Sequence, residues 1–152
     1  MKLKDANYLK FVRTLPCSMC ASTPSEAHHE NYWLEYGSQR MNDYVAVPLC
    51  AKHHRDRHTF GAKNFWTTDK FILVLLLTSL NYLSQSKVLS GRTLDEVEEI
   101  TKTIEEFKNK FANCADKSEN NVYNKYSERC VRDVVLEYTE YISKVVTGDN
   151  NE

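Results

Sequence analysis

The sequence predicts an α+β protein: a small, loop-rich core entered through a short N-terminal helix, followed by a mainly helical C-terminal region. Three observations carry that expectation. All five histidines (28, 29, 53, 54, 58) and three of the five cysteines (17, 20, 50) fall between positions 17 and 58. The same stretch reads as short β-like runs joined by loops. Beyond Asp69, apolar residues recur at spacings of three and four, the period of a helix that buries one face.

Asp5 is placed to cap a helix over residues 5–14, with Tyr8, Leu9, Phe11 and Val12 on its apolar side and Pro16 as its stop. Short strands are expected near Ala27–His29 and Tyr44–Val47, making a hairpin built on loops. Cys50 to His58 is polar and free of Gly and Pro, as a short helix would be. Asp69 to about Gln85 is a strongly apolar helix, broken by Ser90-Gly91. Thr93, followed by Glu96, signals a capping box for a helix to Phe111, with Leu94, Val97, Ile100, Ile104, Phe107 and Phe111 on one face. A loop around Asp116–Asn121 and a last helix from Tyr123 to Val146 complete the chain. The expected organisation is a core over 1–66, a helical region over 67–147 packing on that core, and a frayed tail over 148–152. No internal repeat is present.

The chain has 152 residues, enough for one compact domain with a small appendage. At 41% hydrophobic and 27% charged it is neither disordered nor of low complexity. The most apolar run, Phe71 to Leu80, is half the roughly 20 residues a membrane span needs, so it reads as a buried helix. No apolar leader follows Met1, and the expectation is a soluble, cytoplasmic protein with no membrane partner. The formal net charge of −1 hides a basic first part, +3 over residues 1–66, and an acidic remainder. So mild a bias neither demands nor forbids a polyanionic partner.

Cys17-x2-Cys20 and Cys50-x2-His53 are two knuckle-like pairs. Zinc takes four soft or borderline ligands in a tetrahedron, and an x2 spacing lets two side chains converge on one ion. A segment of about forty loop-rich residues lacks the core to hold its own shape, and a structural Zn2+ supplies several kcal/mol of folding free energy. Disulfides are disfavoured by the odd cysteine count and the expected compartment. Cys114 and Cys130 read as ordinary buried or half-buried thiols.

His54 and His58, four apart on a helix, project from one face. Arg55 stands where a zinc protease would carry its glutamate, which excludes that chemistry. Upstream, His28 and His29 are neighbours on a strand and so point to opposite faces. One can join the ion held by His54 and His58, while the other stands beside it, free to take a proton from water.

The order Cys-x2-Cys, His-His, Val-Pro-Leu-Cys-x2-His-His-x3-His resembles the HNH, or ββα-metal, endonucleases. Among them it is most similar to the phage recombination-enhancement (Ref-type) nucleases. The similar stretch runs from about Tyr8 to Trp66. It comprises Tyr8-Leu9-x-Phe11-Val12-Arg13-x-Leu15-Pro16-Cys17, Ala27-His28-His29, Asp43 through Val47-Pro48-Leu49-Cys50, and His58-x2-Gly61-x3-Phe65-Trp66. The resemblance implies a zinc-stapled ββα-metal core with His28, His54 and His58 on a catalytic cation (Mg2+, Mn2+ or Zn2+). It implies His29 as general base, with Cys17, Cys20, Cys50 and His53 on the structural zinc. The implied activity is hydrolysis of DNA phosphodiesters to 5′-phosphate and 3′-hydroxyl ends, in a phage or recombination setting. One departure stands out: the family's middle Asn falls at Val45. The Val45 carbonyl, or the side chain of Asp43 or Asn42, would then orient the base.

A phosphodiester resists water because its charge repels nucleophiles and its leaving alkoxide is a strong base; a divalent cation offsets both. Histidine is the side chain that titrates near neutrality, which suits it to proton transfer. Arg40, Lys52, Arg55, Arg57 and Lys63 flank the histidines and are expected to grip phosphates without reading sequence. Phe60, Phe65 and Trp66 are expected in the core. The competing reading is a non-catalytic, zinc-stabilised module binding nucleic acid or protein; such a module has no use for an unligated His29. The C-terminal helices leave room for a protein partner or self-association.

Overall fold

The computed structural model describes residues 3–31, 42–85, 88–114 and 127–148. The protein is α+β and mostly helical, and divides into two compact units, Met1–Tyr82 and Leu83–Glu152. The first contains α1 (Ala6–Val12), β1 (Glu26–His29), β2 (Ala46–Leu49), α2 (Ala51–Phe60), α3 (Ala62–Phe65) and most of α4 (Thr68–Gln85). The second contains α5 (Leu94–Asn113) and α6 (Glu128–Thr147).

Asp5 caps α1 by accepting from the backbone N–H of Tyr8 at 2.9 Å, satisfying a donor that has no partner within the helix. Its other carboxylate oxygen accepts from the hydroxyls of Tyr44 (2.8 Å) and Tyr82 (3.2 Å). The side chains of Tyr8, Val12, Tyr44, Val45, Val47, Leu49, Phe71 and Leu75 form the buried interior of this unit. Tyr8 packs on Tyr44 and Tyr82 with ring centroids 5.0 and 4.9 Å apart.

The two strands pair antiparallel, with His28 opposite Val47 and His29 opposite Ala46. The second strand begins two residues later than its sequence suggests. Asp43–Val45 instead forms a 3-10 turn whose Asp43 N–H donates to the Leu3 carbonyl at 2.8 Å and whose Tyr44 N–H donates to the Asn42 side chain at 3.0 Å. Helix α2 follows β2 directly, with Cys50 at its N-cap, and stops at Gly61. That glycine has φ +80, a conformation costly to any residue carrying a Cβ.

In the second unit, Thr93 and Glu96 make the expected capping box of α5. Ile100, Ile104, Phe107 and Phe111 are buried, with Phe107 packed on Tyr138 of α6. Leu94, the first residue of the helix, is 82% exposed, contrary to expectation. Ser127 caps α6; the expected start at Tyr123 and the loop at Asp116–Asn121 lie outside the described residues. Cys114 and Cys130 are not separate thiols. The end of α5 and the first turn of α6 bring their Cα atoms to 5.4 Å, and they form a disulfide. Among the described residues, no helix is long and apolar enough to cross a membrane.

Candidate metal centres

Cys17 and Cys20 sit in a loop closed by hydrogen bonds from Cys17 N–H to Ser22 O and from Ala21 N–H to Cys17 O. The loop is fixed to β2 through Ser18, whose N–H and hydroxyl both donate to the Pro48 carbonyl. Pro48 lacks an N–H for the ladder, but its oxygen serves here. Cys50 and His53 come from the N-cap and first turn of α2. The four ligand atoms lie within 4.8 Å of one another. Cys20 Sγ and Cys50 Sγ are 3.9 Å apart, and His53 Nδ1 lies 3.6 Å from Cys17 Sγ and 3.3 Å from Cys50 Sγ. A tetrahedral zinc with Zn–S of about 2.3 Å and Zn–N of about 2.0 Å requires edges of about 3.8 Å between sulfurs and about 3.5 Å from sulfur to nitrogen. The group can hold a metal such as zinc. The backbone N–H of His53 leads the influences that draw the Cys50 thiol down to about 6, so this ligand is readily the thiolate a metal needs. Burial pushes the Cys17 thiol up.

The second group is His28, His54 and His58, whose donor nitrogens also lie within 4.8 Å of one another. Ring centroids are 4.9 Å apart for 28 and 54, 5.3 Å for 28 and 58, and 5.0 Å for 54 and 58. Strand alternation turns His28 toward α2, while the i, i+4 spacing stacks His54 and His58 on the helix face that meets it. Burial lowers the His58 imidazole below its ordinary range, favouring the neutral ring that binds cations.

His29 leaves the strand on the other face, its side chain 33% exposed, with Nε2 3.0 Å from Asp43 Oδ1. Of the three candidate orienting groups, Asp43 is the one in contact. The Val45 carbonyl accepts from Glu30 N–H at 3.2 Å, and Asn42 is engaged with Tyr44. Asp43 is itself held by the Asp5 N–H, which donates to Oδ2 at 2.8 Å.

The sequence reading missed two carboxylates. Glu30 is fully buried and accepts from Arg57 Nε and Nη2, both at 2.7 Å, and from Trp66 Nε1 at 2.7 Å; His28 Nε2 lies 3.1 Å away. Burial resists its ionisation, but the hydrogen bonds and charges of Arg57 and His28 together outweigh that and bring the carboxyl down to about 2. Glu26 approaches His54 Nδ1 at 2.5 Å. The signal was in the sequence: Glu26-x-His28-x-Glu30 shares one face of a strand of period two.

The expected phosphate-gripping residues separate. Arg57, expected on phosphate, faces inward to Glu30. Lys52 pairs with Asp56 at 2.8 Å. Arg55 and Lys63 are exposed, and Arg40 lies outside the described residues. Trp66 is buried as expected, whereas Phe60, at the end of α2, is 58% exposed.

These features define an α+β chain with two histidine-containing groups suited to metal ions, both in the first unit. A family model described as "Protein of unknown function (DUF968)" matches residues 1–73, the part that contains both groups. The chain is also 34% identical over 56 residues to the "Uncharacterized protein YdfU" of Escherichia coli (strain K12). That similarity covers 34% of this chain and spans only 15% of the relative's length. No solved structure matches the chain.

Proposed function

We propose that the first unit is a ββα-metal core and acts as a DNA endonuclease of HNH type, with one divalent cation and little sequence preference. The observation that carries this reading is the separation of the histidines. Three imidazoles converge on one point, while a fourth, adjacent in sequence, is held apart by a carboxylate. A purely structural metal site, or a binding module, gives no role to that fourth ring.

His28, His54 and His58 would hold the cation, which when bound supplies positive charge to a non-bridging phosphate oxygen and to the departing 3′ oxygen. The three imidazole donors suit a late transition metal, although Mg2+ or Mn2+ also serves phosphate chemistry. His29 donates its Nε2 proton to Asp43, which leaves the Nδ1 lone pair to accept a proton from the attacking water. The water oxygen bonds to phosphorus, the bond to the 3′ oxygen breaks, and that oxygen acquires a proton from solvent. Asp43 holds the ring in one tautomer, as a carboxylate does for the histidine of a serine-protease triad. Arg55, exposed and about 100° round α2 from His54, would meet phosphate beside the imidazole face.

Nicking of supercoiled plasmid in Mg2+, Mn2+ or Zn2+, with a chelator control, tests the proposal. The wild-type protein should cleave, and His29→Ala should retain fold and metal content while losing cleavage. Cleavage by His29→Ala at the wild-type rate would remove the assigned base. Absence of cleavage by the metal-loaded wild type on plasmid, single-stranded circle and branched DNA would favour the binding module.

A further inference from the structure

Glu26 and His28 alternate along β1, Glu30 continues that period just past its end, and all three meet α2, so one face presents carboxylate, imidazole and carboxylate in turn. The two carboxylates meet two different rings. Glu30 lies at Nε2 of His28, and Glu26 at Nδ1 of His54. A neutral imidazole has one N–H and one lone pair, so whichever nitrogen donates to a carboxylate leaves the other to bind a cation.

We propose that Glu26 and Glu30 are positioning residues that choose the metal-binding nitrogens of the three-histidine group: Nε2 of His54 and Nδ1 of His28. This rests on reading that group as a metal centre. The opposite choice of nitrogen is what allows two rings from different elements, a strand and a helix, to aim lone pairs at one point. Each carboxylate also adds negative charge behind its ring, which makes the imidazole a better donor to a divalent cation. The two differ in surroundings. The Glu30 side chain is fully buried and tied to Arg57 and Trp66, whereas the Glu26 side chain is 53% exposed. Glu26 can therefore be replaced with little consequence for folding, and Glu30 can be read without replacing it.

The test uses the full chain carrying one equivalent of zinc, titrated with further Zn2+ by calorimetry, with imidazole 15N shifts recorded before the second equivalent. Wild type should bind a second Zn2+ that His54→Ala does not. Its spectra should show His28 protonated at Nε2 and His54 at Nδ1. Glu26→Ala should weaken the second Zn2+ about tenfold or more and release the His54 tautomer while leaving His28 unchanged. Glu26→Gln, whose amide oxygen still accepts a hydrogen bond, should restore the tautomer and part of the affinity. No second Zn2+ in the wild type would overturn the metal-centre reading and the inference with it. A second Zn2+ held equally well by Glu26→Ala, or His28 protonated at Nδ1, would overturn the inference alone.

Discussion

Replacing Arg57 with methionine decides whether this arginine belongs to the DNA-gripping surface or to the interior. Its guanidinium makes two hydrogen bonds of 2.7 Å to a carboxylate that is fully buried. Charge-assisted bonds contribute about 1.5–3 kcal/mol each, and breaking a buried ion pair by removing one partner costs about 3–5 kcal/mol. His28 and Trp66 still face Glu30 in the variant, which places the expected loss near the lower end of that range. With a urea dependence of about 1–3 kcal/mol per molar for a small domain, the unfolding midpoint should fall by about 2 M. Both tryptophans, Trp33 and Trp66, lie in the first 82 residues, so intrinsic fluorescence reports on this unit. In a cycle with Glu30→Gln, the double variant should lose clearly less than the sum of the single losses, because the second change removes a group already stranded by the first. A midpoint within about 0.5 M of wild type, combined with weaker and less salt-dependent DNA binding, would refute the assignment and return Arg57 to the phosphate backbone.

The remaining expectations concern the two histidine groups. Cys17→Ser removes one of four converging ligands and should lose zinc and soluble fold together, seen by metal analysis and circular dichroism; a folded, fully active variant would refute the structural-zinc assignment. Asp43→Ala frees the His29 ring and should slow single-turnover cleavage about a hundredfold without changing metal content. An unchanged rate would show that Asp43 does not position the base.

What was legible in the sequence was local. The spacings Cys17-x2-Cys20, Cys50-x2-His53 and His54-x3-His58 fix relative side-chain direction within a single turn of loop or helix, and the structure groups those residues accordingly. Strand alternation likewise separates His28 from His29 before any tertiary contact is known. Most of the missed features turn on contacts between distant segments. Glu30 meets Arg57 and Trp66, 27 and 36 residues away, and nothing in its neighbours marks it as buried. Arg57 read as a phosphate ligand because it lies between the helix histidines, whereas its direction is set by that distant carboxylate. Phe60 lies about 240° round α2 from His54, so the helix face that meets β1 turns it to solvent. The Cys114–Cys130 disulfide escaped a count of cysteines because pairing depends on how the end of α5 meets the start of α6.

The two groups are also mechanically one. Neighbouring residues of α2 serve different groups, His53 the Cys/His group and His54 the three-histidine group. Cys50 caps α2, and its carbonyl accepts from the His54 N–H at 2.8 Å, so the residue that holds one centre is bonded to a ligand of the other. The helix has no buried residue of its own to seat it. Its ties to the rest of the unit include the Cys/His group at its first turn, the Glu26–His54 contact and the Arg57–Glu30 pair farther along. A metal in the first group would therefore help to set the register of α2 against β1, and through it the convergence of His54 and His58 on His28. Since displacements near 1 Å are enough to lower a reaction rate about a hundredfold, selective loss of a metal from the first group should slow the proposed cleavage although it removes no ligand of the second, and an unchanged rate would refute this coupling.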